Sequence, residues 1–258
     1  MAAPYTLIAF DLDDTLAPSK SALPQPVAQV LRRLLDFSEV CVISGGQFGQ
    51  FESQLLAGLD ASPSQLERLH LMPTCGTRYC RYREEGWRDV YARNLSEAER
   101  EEALRVVEEE ARALGLWEEN TWGSILEDRA SQITFSALGQ EAPLEKKKAW
   151  DPTGEKKETL RAAVAARLPK LEVRSGGSTS VDITRKGIDK AYGIEELATQ
   201  TGIAIEDMLF IGDRLDEGGN DYPVLRTGID AHPVSGWEDT VTYLEAYCSA
   251  YEGSETEK

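Results

Sequence analysis

Apolar positions along this chain change their spacing several times, and the changes divide it into elements. The run Thr6-Leu7-Ile8-Ala9-Phe10 is continuous and stops at Asp11, as in a strand buried on both faces. Val27, Val30, Leu31, Leu34 and Leu35 then share one helical face, and Val40-Cys41-Val42-Ile43 forms a second buried strand. Ser44-Gly45-Gly46 ends that strand, Gln47 to Leu59 follows as a helix, and Leu69-His70-Leu71-Met72 is a third strand. This alternation predicts an α/β fold with a parallel sheet and helices on both faces.

The pattern then shifts to period two. Thr77 to Arg83 and Trp87 to Tyr91 alternate around Glu84-Glu85-Gly86 and read as a hairpin that opens a different topology. Ser96 and Glu99 form a capping box for a long helix striped by Leu104, Val107, Ala111 and Leu114. Ser124 to Glu127 and Gln132 to Leu138 read as strands, and Asp151-Pro152 starts a helix carrying Leu160, Val164 and Leu168. Leu171-Glu172-Val173 and Ser180-Val181-Asp182-Ile183 add two short strands. From Gly187 the first pattern returns, with a helix near Lys190 to Thr201, the strand Met208-Leu209-Phe210-Ile211 and a last helix beginning near Trp237. The expected organisation is a discontinuous core, residues 1–81 and 185–258, interrupted by an α+β insertion over 82–184. Only the tail from Gly253 to Lys258 reads as disordered, and no internal repeat is present.

Composition narrows the class. Hydrophobic residues make up 41% of 258 residues, enough for a substantial core, and no apolar run is long enough to span a bilayer. Met1-Ala2-Ala3-Pro4 leads straight into a strand without a basic region and apolar stretch, so the expected location is the cytoplasm. Cys41, Cys75, Cys80 and Cys248 include no pair spaced as in a zinc knuckle or redox motif. A net charge of −17 argues against nucleic-acid binding, while a small anionic substrate remains compatible with it if local cations or a metal override the overall field. The two histidines, His70 and His232, read as structural, which removes most serine and cysteine triads.

The candidate chemistry lies where apolar strands end in acids. Asp11-Leu12-Asp13-Asp14-Thr15 follows the first strand and Gly212-Asp213 follows the last, so Asp11, Asp13 and Asp213 converge on the carboxyl edge of the sheet, where open α/β folds bind ligands. Carboxylates this close repel unless a cation compensates, and a hard divalent ion such as Mg2+ would do so while recruiting a phosphate. Ser44 at a second strand end and Lys190 at a helix start add a hydroxyl and an ammonium, completing a parts list for phosphoryl transfer. Lys186 competes with Lys190 for that role, and Lys190 is preferred because the helical run begins there.

In their order and strand placement, Asp11-x-Asp13-x-Thr15, Ser44, Lys190 and Gly212-Asp213 through Gly219-Asn220-Asp221 resemble the four motifs of the haloacid dehalogenase superfamily. The resemblance covers nearly the whole chain and implies a Rossmann-like core with an inserted α+β cap of the larger type. It also implies that Asp11 is a nucleophile forming an aspartyl phosphate, that Asp13 is the general acid and base, and that Ser44 and Lys190 hold phosphoryl oxygens. Mg2+ would be bound by Asp11, the backbone carbonyl of Asp13 and Asp213, with Asn220 and Asp221 supporting the metal or its waters. The double glycine Gly218-Gly219 and the stretch Gly176-Gly177 before Ser180-Val181-Asp182 look most like the branch of eukaryotic-type phosphomannomutases and sugar phosphatases. Substrate contacts implied by that likeness are Lys20, Gly45, Arg129, Lys147, Ser180 and Asp182.

Departures from the branch bear on the reaction. A mutase must grip a second phosphate, yet this chain has Gly139-Gln140 where the branch has an arginine after a glycine. It has lysines, Lys146 to Lys148 and Lys20, at two further arginine positions. Lysine loses the bidentate fork and glutamine loses the charge. The expected activity is therefore hydrolysis of a small sugar phosphate by a monomer or homodimer. The alternative is a phosphomannomutase interconverting hexose 1- and 6-phosphates. A catalytically silent binding protein on the same fold is disfavoured because Asp11 and Asp13 are both retained.

Overall fold

In the computed structural model, residues 5–176 and 178–255 are described. Along the chain, β1 (Leu7–Phe10), α1 (Gln25–Leu35), β2 (Glu39–Ile43), a helix α2 over residues 48–59, β3 (Leu69–Met72), β4 (Arg78–Arg83) and β5 (Gly86–Ala92) come first. Next come α3 (Glu97–Ala113), β6 (Leu126–Asp128), β7 (Gln132–Ser136), α4 (Glu155–Arg167), β8 (Leu171–Ser175) and β9 (Ser180–Arg185). The chain closes with α5 (Lys190–Thr201), β10 (Met208–Gly212), β11 (Asp230–Pro233) and α6 (Trp237–Glu255).

Two compact units result, one formed by Met1–Ala92 with Asp189–Lys258 and the other by Arg93–Ile188. The first holds a seven-stranded sheet in the order β11-β10-β1-β2-β3-β4-β5, parallel from β11 to β3. Alternation along its buried strands feeds both faces. Ile8 and Phe10 join the side chains of α1 and α2 in one core cluster, while Leu7 and Ala9 join Ile194 and Leu197 of α5 in another. The second unit holds the antiparallel sheet β6-β7-β9-β8. Ile133, Phe135, Val181 and Ile183 pack there with Ala103, Val107, Leu160 and Val164 from α3 and α4.

The boundaries differ from the sequence expectation of 82 and 184. The hairpin β4–β5 extends the first unit's sheet, because β4 pairs antiparallel with β3 through His70↔Arg81 and Leu71↔Cys80. At the other end, Ile188 stays with the inserted unit, its carbonyl accepting a 2.8 Å bond from Arg174 Nη1. The helix expected from Asp151 starts at Glu155, and the Asp151 carboxylate accepts from the Lys156 and Lys157 amides instead. Strand β11, with the composition Asp-Ala-His-Pro, has no apolar alternation and was not anticipated. Helix α6 runs through Gly253 to Glu255, against the expected disorder there; Thr256–Lys258, like Met1–Pro4 and Gly177, lie outside the described residues.

His70, 1% exposed, is structural: its Nε2 lies 2.7 Å from Glu39 Oε2 and its Nδ1 2.8 Å from the Tyr79 hydroxyl. A neutral ring satisfies both, donating from Nε2 and accepting at Nδ1. Burial holds its pKa below the usual value of 6.5, with Arg81 adding to the effect and Glu39 opposing it. The unfolded chain therefore takes up the proton first, and stability that is complete above about pH 6.5 is lost as the pH falls toward the depressed folded value. Thermal unfolding at pH 7.5 and 5.5 is expected to show a smaller drop in midpoint for His70→Asn than for the wild type. Equal drops would remove His70 as the source.

Candidate active site

β1 and β10 are neighbouring parallel strands with Phe10 opposite Ile211, and the Asp11 amide donates to the Ile211 carbonyl at 3.0 Å. The two acidic strand ends therefore leave the sheet side by side. Thr15 ties them together: its hydroxyl accepts from the Asp213 amide at 3.0 Å and donates to Asp213 Oδ1 at 3.2 Å. Thr240, on α6, donates to the Thr15 carbonyl at 2.8 Å. Thr240 drew no attention in the sequence, since a threonine on an amphipathic helix carries no distinguishing signal.

Lys190 is the first residue of α5, and Asp189 caps that helix by accepting from the Tyr192 amide at 3.1 Å. Arg226 clamps Asp189 with two bonds of 2.7 and 2.8 Å, one to each carboxylate oxygen. The Lys190 ammonium reaches Asp11 Oδ1 and lies 2.6 Å from Asp221 Oδ1. Of the two lysines compared in the sequence, Lys186 is exposed and Lys190 is 1% exposed. Asp221 Oδ2 in turn accepts from the Arg214 amide at 3.0 Å. A Cβ on Gly212 would fall 2.4 Å from that oxygen, so the Asp221 carboxylate requires glycine there.

Asp11, Asp213 and Asp221 each offer a carboxylate oxygen, and these atoms lie within 4.8 Å of one another. Burial is the main cause that pushes the Asp11 carboxyl up, to about 8, with the Asp221 charge adding to it and the Lys190 ammonium opposing both. Asp213 is also raised, first by burial and then by Asp221. Burial disfavours the charged form of Lys190 as well, but its two carboxylate partners outweigh this and raise its pKa. One ammonium among three carboxylates leaves the cluster short of positive charge. Its all-oxygen donor set fits a hard divalent cation.

The remaining expected residues fall around this cluster or in the inserted unit. Asp13 Oδ1 accepts from the Lys20 amide at 2.8 Å and from Gln54 Nε2 at 3.0 Å, and its Oδ2 accepts from Gln50 Nε2 at 2.9 Å. Lys20 thus meets Asp13 through its backbone, while its side chain is exposed. Asp14 has φ +61°, and its carboxylate accepts from the Ser19 amide. Ser44 is buried at the end of β2, its hydroxyl accepting from the Gly46 amide at 3.1 Å. The next turn packs on it, with Cys75 N bonded to Ser44 O and Thr74 N to Gly46 O, both at 2.9 Å. A Cβ on Gly45 would be 4.0 Å from Cys75 Sγ. Asn220 is exposed, next to the fully buried Asp221.

In the inserted unit, β7 and β9 pair Gln132 with Thr184, Thr134 with Asp182 and Ser136 with Ser180. This gives one sheet face a polar row. Asp182 Oδ1 accepts from Gln132 Nε2 at 2.9 Å and from Thr134 Oγ1 at 2.7 Å, and the Ser136 and Ser180 hydroxyls are 2.9 Å apart. Gln140 donates to Ser136 Oγ, and Lys147 Nζ donates to the Gln140 carbonyl, both at 2.8 Å. Arg129 donates from Nε and Nη2 to Glu127 Oε2, at 2.9 and 2.6 Å.

Residues 8–227 match the family model described as haloacid dehalogenase-like hydrolase. The chain belongs to that family. It is similar to the phosphomannomutase of Saccharomyces cerevisiae, with 24% identity over 252 residues covering 93% of each chain. It is 22% identical to the Schizosaccharomyces pombe phosphomannomutase over 252 residues, 94% of each chain. Among solved structures, a haloacid dehalogenase-like hydrolase from Bacteroides thetaiotaomicron superposes with a TM-score of 0.64 at 17% identity, covering 94% of this chain and 99% of the other. This haloacid dehalogenase-like chain is thus an enzyme, a phosphatase or phosphotransferase of the phosphomannomutase-like branch. Among its described residues, no helix is long and apolar enough to cross a membrane.

Proposed function

We propose that this enzyme is a Mg2+-dependent phosphatase of small sugar phosphates, working through an aspartyl phosphate on Asp11. The observation that carries the reading is the buried cluster in which one lysine, Lys190, meets both Asp11 and Asp221 while Asp13 stands two residues away. Asp11, Asp213 and Asp221, with the Asp13 carbonyl and Asn220 as further oxygen donors, would hold Mg2+, which when bound compensates the charge of the phosphoryl oxygens.

In the first step an Asp11 carboxylate oxygen bonds to phosphorus as the bond to the sugar oxygen breaks, and Asp13 gives that oxygen its proton. In the second, Asp13 takes a proton from water, whose oxygen bonds to phosphorus and releases Asp11 and inorganic phosphate. Lys190 and the Ser44 hydroxyl stabilise the negative oxygens in both steps.

Hydrolysis is preferred to mutase action because Arg129 and Lys147, the two cations of the inserted unit implied to contact substrate, already have protein partners. The Arg129 guanidinium is bonded to Glu127, Gln140 stands where an arginine was expected, and Lys147 donates to a backbone carbonyl. A weak grip on a second phosphate lets water take the phosphoryl group. The mutase reading is favoured by the phosphomannomutases among the relatives. We infer further that the enzyme is cytoplasmic.

The test incubates purified enzyme with Mg2+, mannose 1-phosphate and a trace of hexose bisphosphate, following free phosphate and mannose 6-phosphate together. Free phosphate without isomerisation is the expected result, and chelating the metal is expected to stop it. Rapid isomerisation with little free phosphate would replace the phosphatase by the mutase.

A further inference from the structure

The region after β2 contains an irregularity that the phosphatase chemistry above does not use. Helix α2 is built from Phe48–Gln50, a π-helical stretch Phe51–Leu56 and a last turn Ala57–Leu59. π-helical turns inside α-helices are rare and recur at functional sites. Gln50 stands at the entrance of this one and Gln54 inside it, and Gln54 is 3% exposed although glutamine is seldom buried.

Their side chains close a ring with Asp13. Gln54 Nε2 donates to Asp13 Oδ1 at 3.0 Å, while Gln50 Nε2 donates to Asp13 Oδ2 and to Gln54 Oε1, both at 2.9 Å. The Lys20 amide adds a third donor to Asp13, on Oδ1 at 2.8 Å. The glycine before the helix belongs to the same arrangement, since a Cβ on Gly46 would fall 2.1 Å from Gln50 Oε1.

We propose that Gln50 and Gln54 are positioning residues that fix the rotation of the Asp13 carboxyl group and select Oδ2 as the oxygen that carries the transferred proton. The inference rests on the phosphatase reading for what Asp13 does, and on the hydrogen bonds for how it is held. A carboxylate offers about four lone-pair directions, two on each oxygen. Among the described residues, Oδ1 has both engaged, by Gln54 and Lys20, whereas Oδ2 has one engaged, by Gln50. The remaining direction on Oδ2 is the one along which a proton reaches the leaving oxygen and later returns from water. Without the two amides the carboxyl group turns about its Cβ–Cγ bond and this direction is lost.

Gln54→Met keeps the side-chain volume and removes the donor. Leaving groups separate a positioning role from a structural one. A sugar or glycerol phosphate needs its departing oxygen protonated, whereas p-nitrophenolate leaves without help. For Gln54→Met and Gln50→Met, kcat/KM is expected to fall about 10–100-fold on glycerol phosphate and less than about 3-fold on p-nitrophenyl phosphate. Gln50→Lys, which retains an N–H donor, is expected to keep the wild-type ratio of the two substrates. An equal fall on both substrates, or no fall on either, would overturn the proposal, with circular dichroism reporting whether each variant is folded. Wild-type enzyme inactive on both would instead remove the phosphatase reading. In that case the contact is still tested, because the Gln50 and Gln54 side-chain amide resonances shift in Asp13→Ala if they hold the carboxylate and stay in place if they do not.

Discussion

Asp11→Asn is expected to lower turnover by at least about 10⁴-fold, because the amide cannot form the acyl phosphate of the proposed mechanism. The fold should survive. Asp11 is 3% exposed and its ionised form is penalised by burial and by Asp221, so a neutral group of the same shape removes an electrostatic cost. Lys190 keeps Asp221 as its partner in the variant. Phosphate release and thermal unfolding on the same preparation separate the two outcomes. Retention of a tenth of the wild-type rate would sink the nucleophile assignment, whatever the midpoint.

Lys190→Met should damage the fold itself. The ammonium is buried against two buried carboxylates, and removing it leaves both without their cation. Breaking a buried ion pair from one side costs about 3–5 kcal/mol, a large part of the stability of most domains. The loss should appear as a lower denaturation midpoint in urea with chelator present. Adding Asp11→Asn to Lys190→Met removes one of the two stranded charges, so the double variant is expected to regain part of the loss. A single variant as stable as the wild type would mean that Lys190 is not the compensating charge. Activity should vanish in both, since the proposed cationic partner of the phosphoryl oxygens is gone.

The clustering of acids around Lys190 was more legible than the chain's partition. Asp11 and Asp213 could be paired from sequence because each ends an apolar run, and parallel strands bring such ends to one edge. Helix α5 was readable close to its observed bounds, Lys190–Thr201, where Asp189 and Gly202 cap it. The hairpin was recognised as a hairpin, yet alternation of side chains does not say which sheet a strand joins. Only the pairing of β4 with β3 puts it in the first unit. Strand β11 was invisible because its order comes from the β10 ladder and not from an apolar face of its own.

Gln50 and Gln54 escaped for a different reason. Helical reasoning assigns polar side chains to solvent by a period of 3.6, and a π-helical stretch breaks that period where it matters. The substitution of glutamine and lysine for expected arginines was visible from the start. That Arg129 is bonded to Glu127 was not, since sequence spacing does not say which of several nearby carboxylates a long guanidinium side chain takes.

Only Asp189 separates Ile188, the last residue of the inserted unit, from Lys190. It is fastened twice, by the Tyr192 amide and by both terminal nitrogens of Arg226. These bonds hold the residue through which the chain leaves the inserted unit and enters α5. Because Asp189 both caps α5 and holds Arg226, replacing either residue would loosen the start of the helix that carries Lys190.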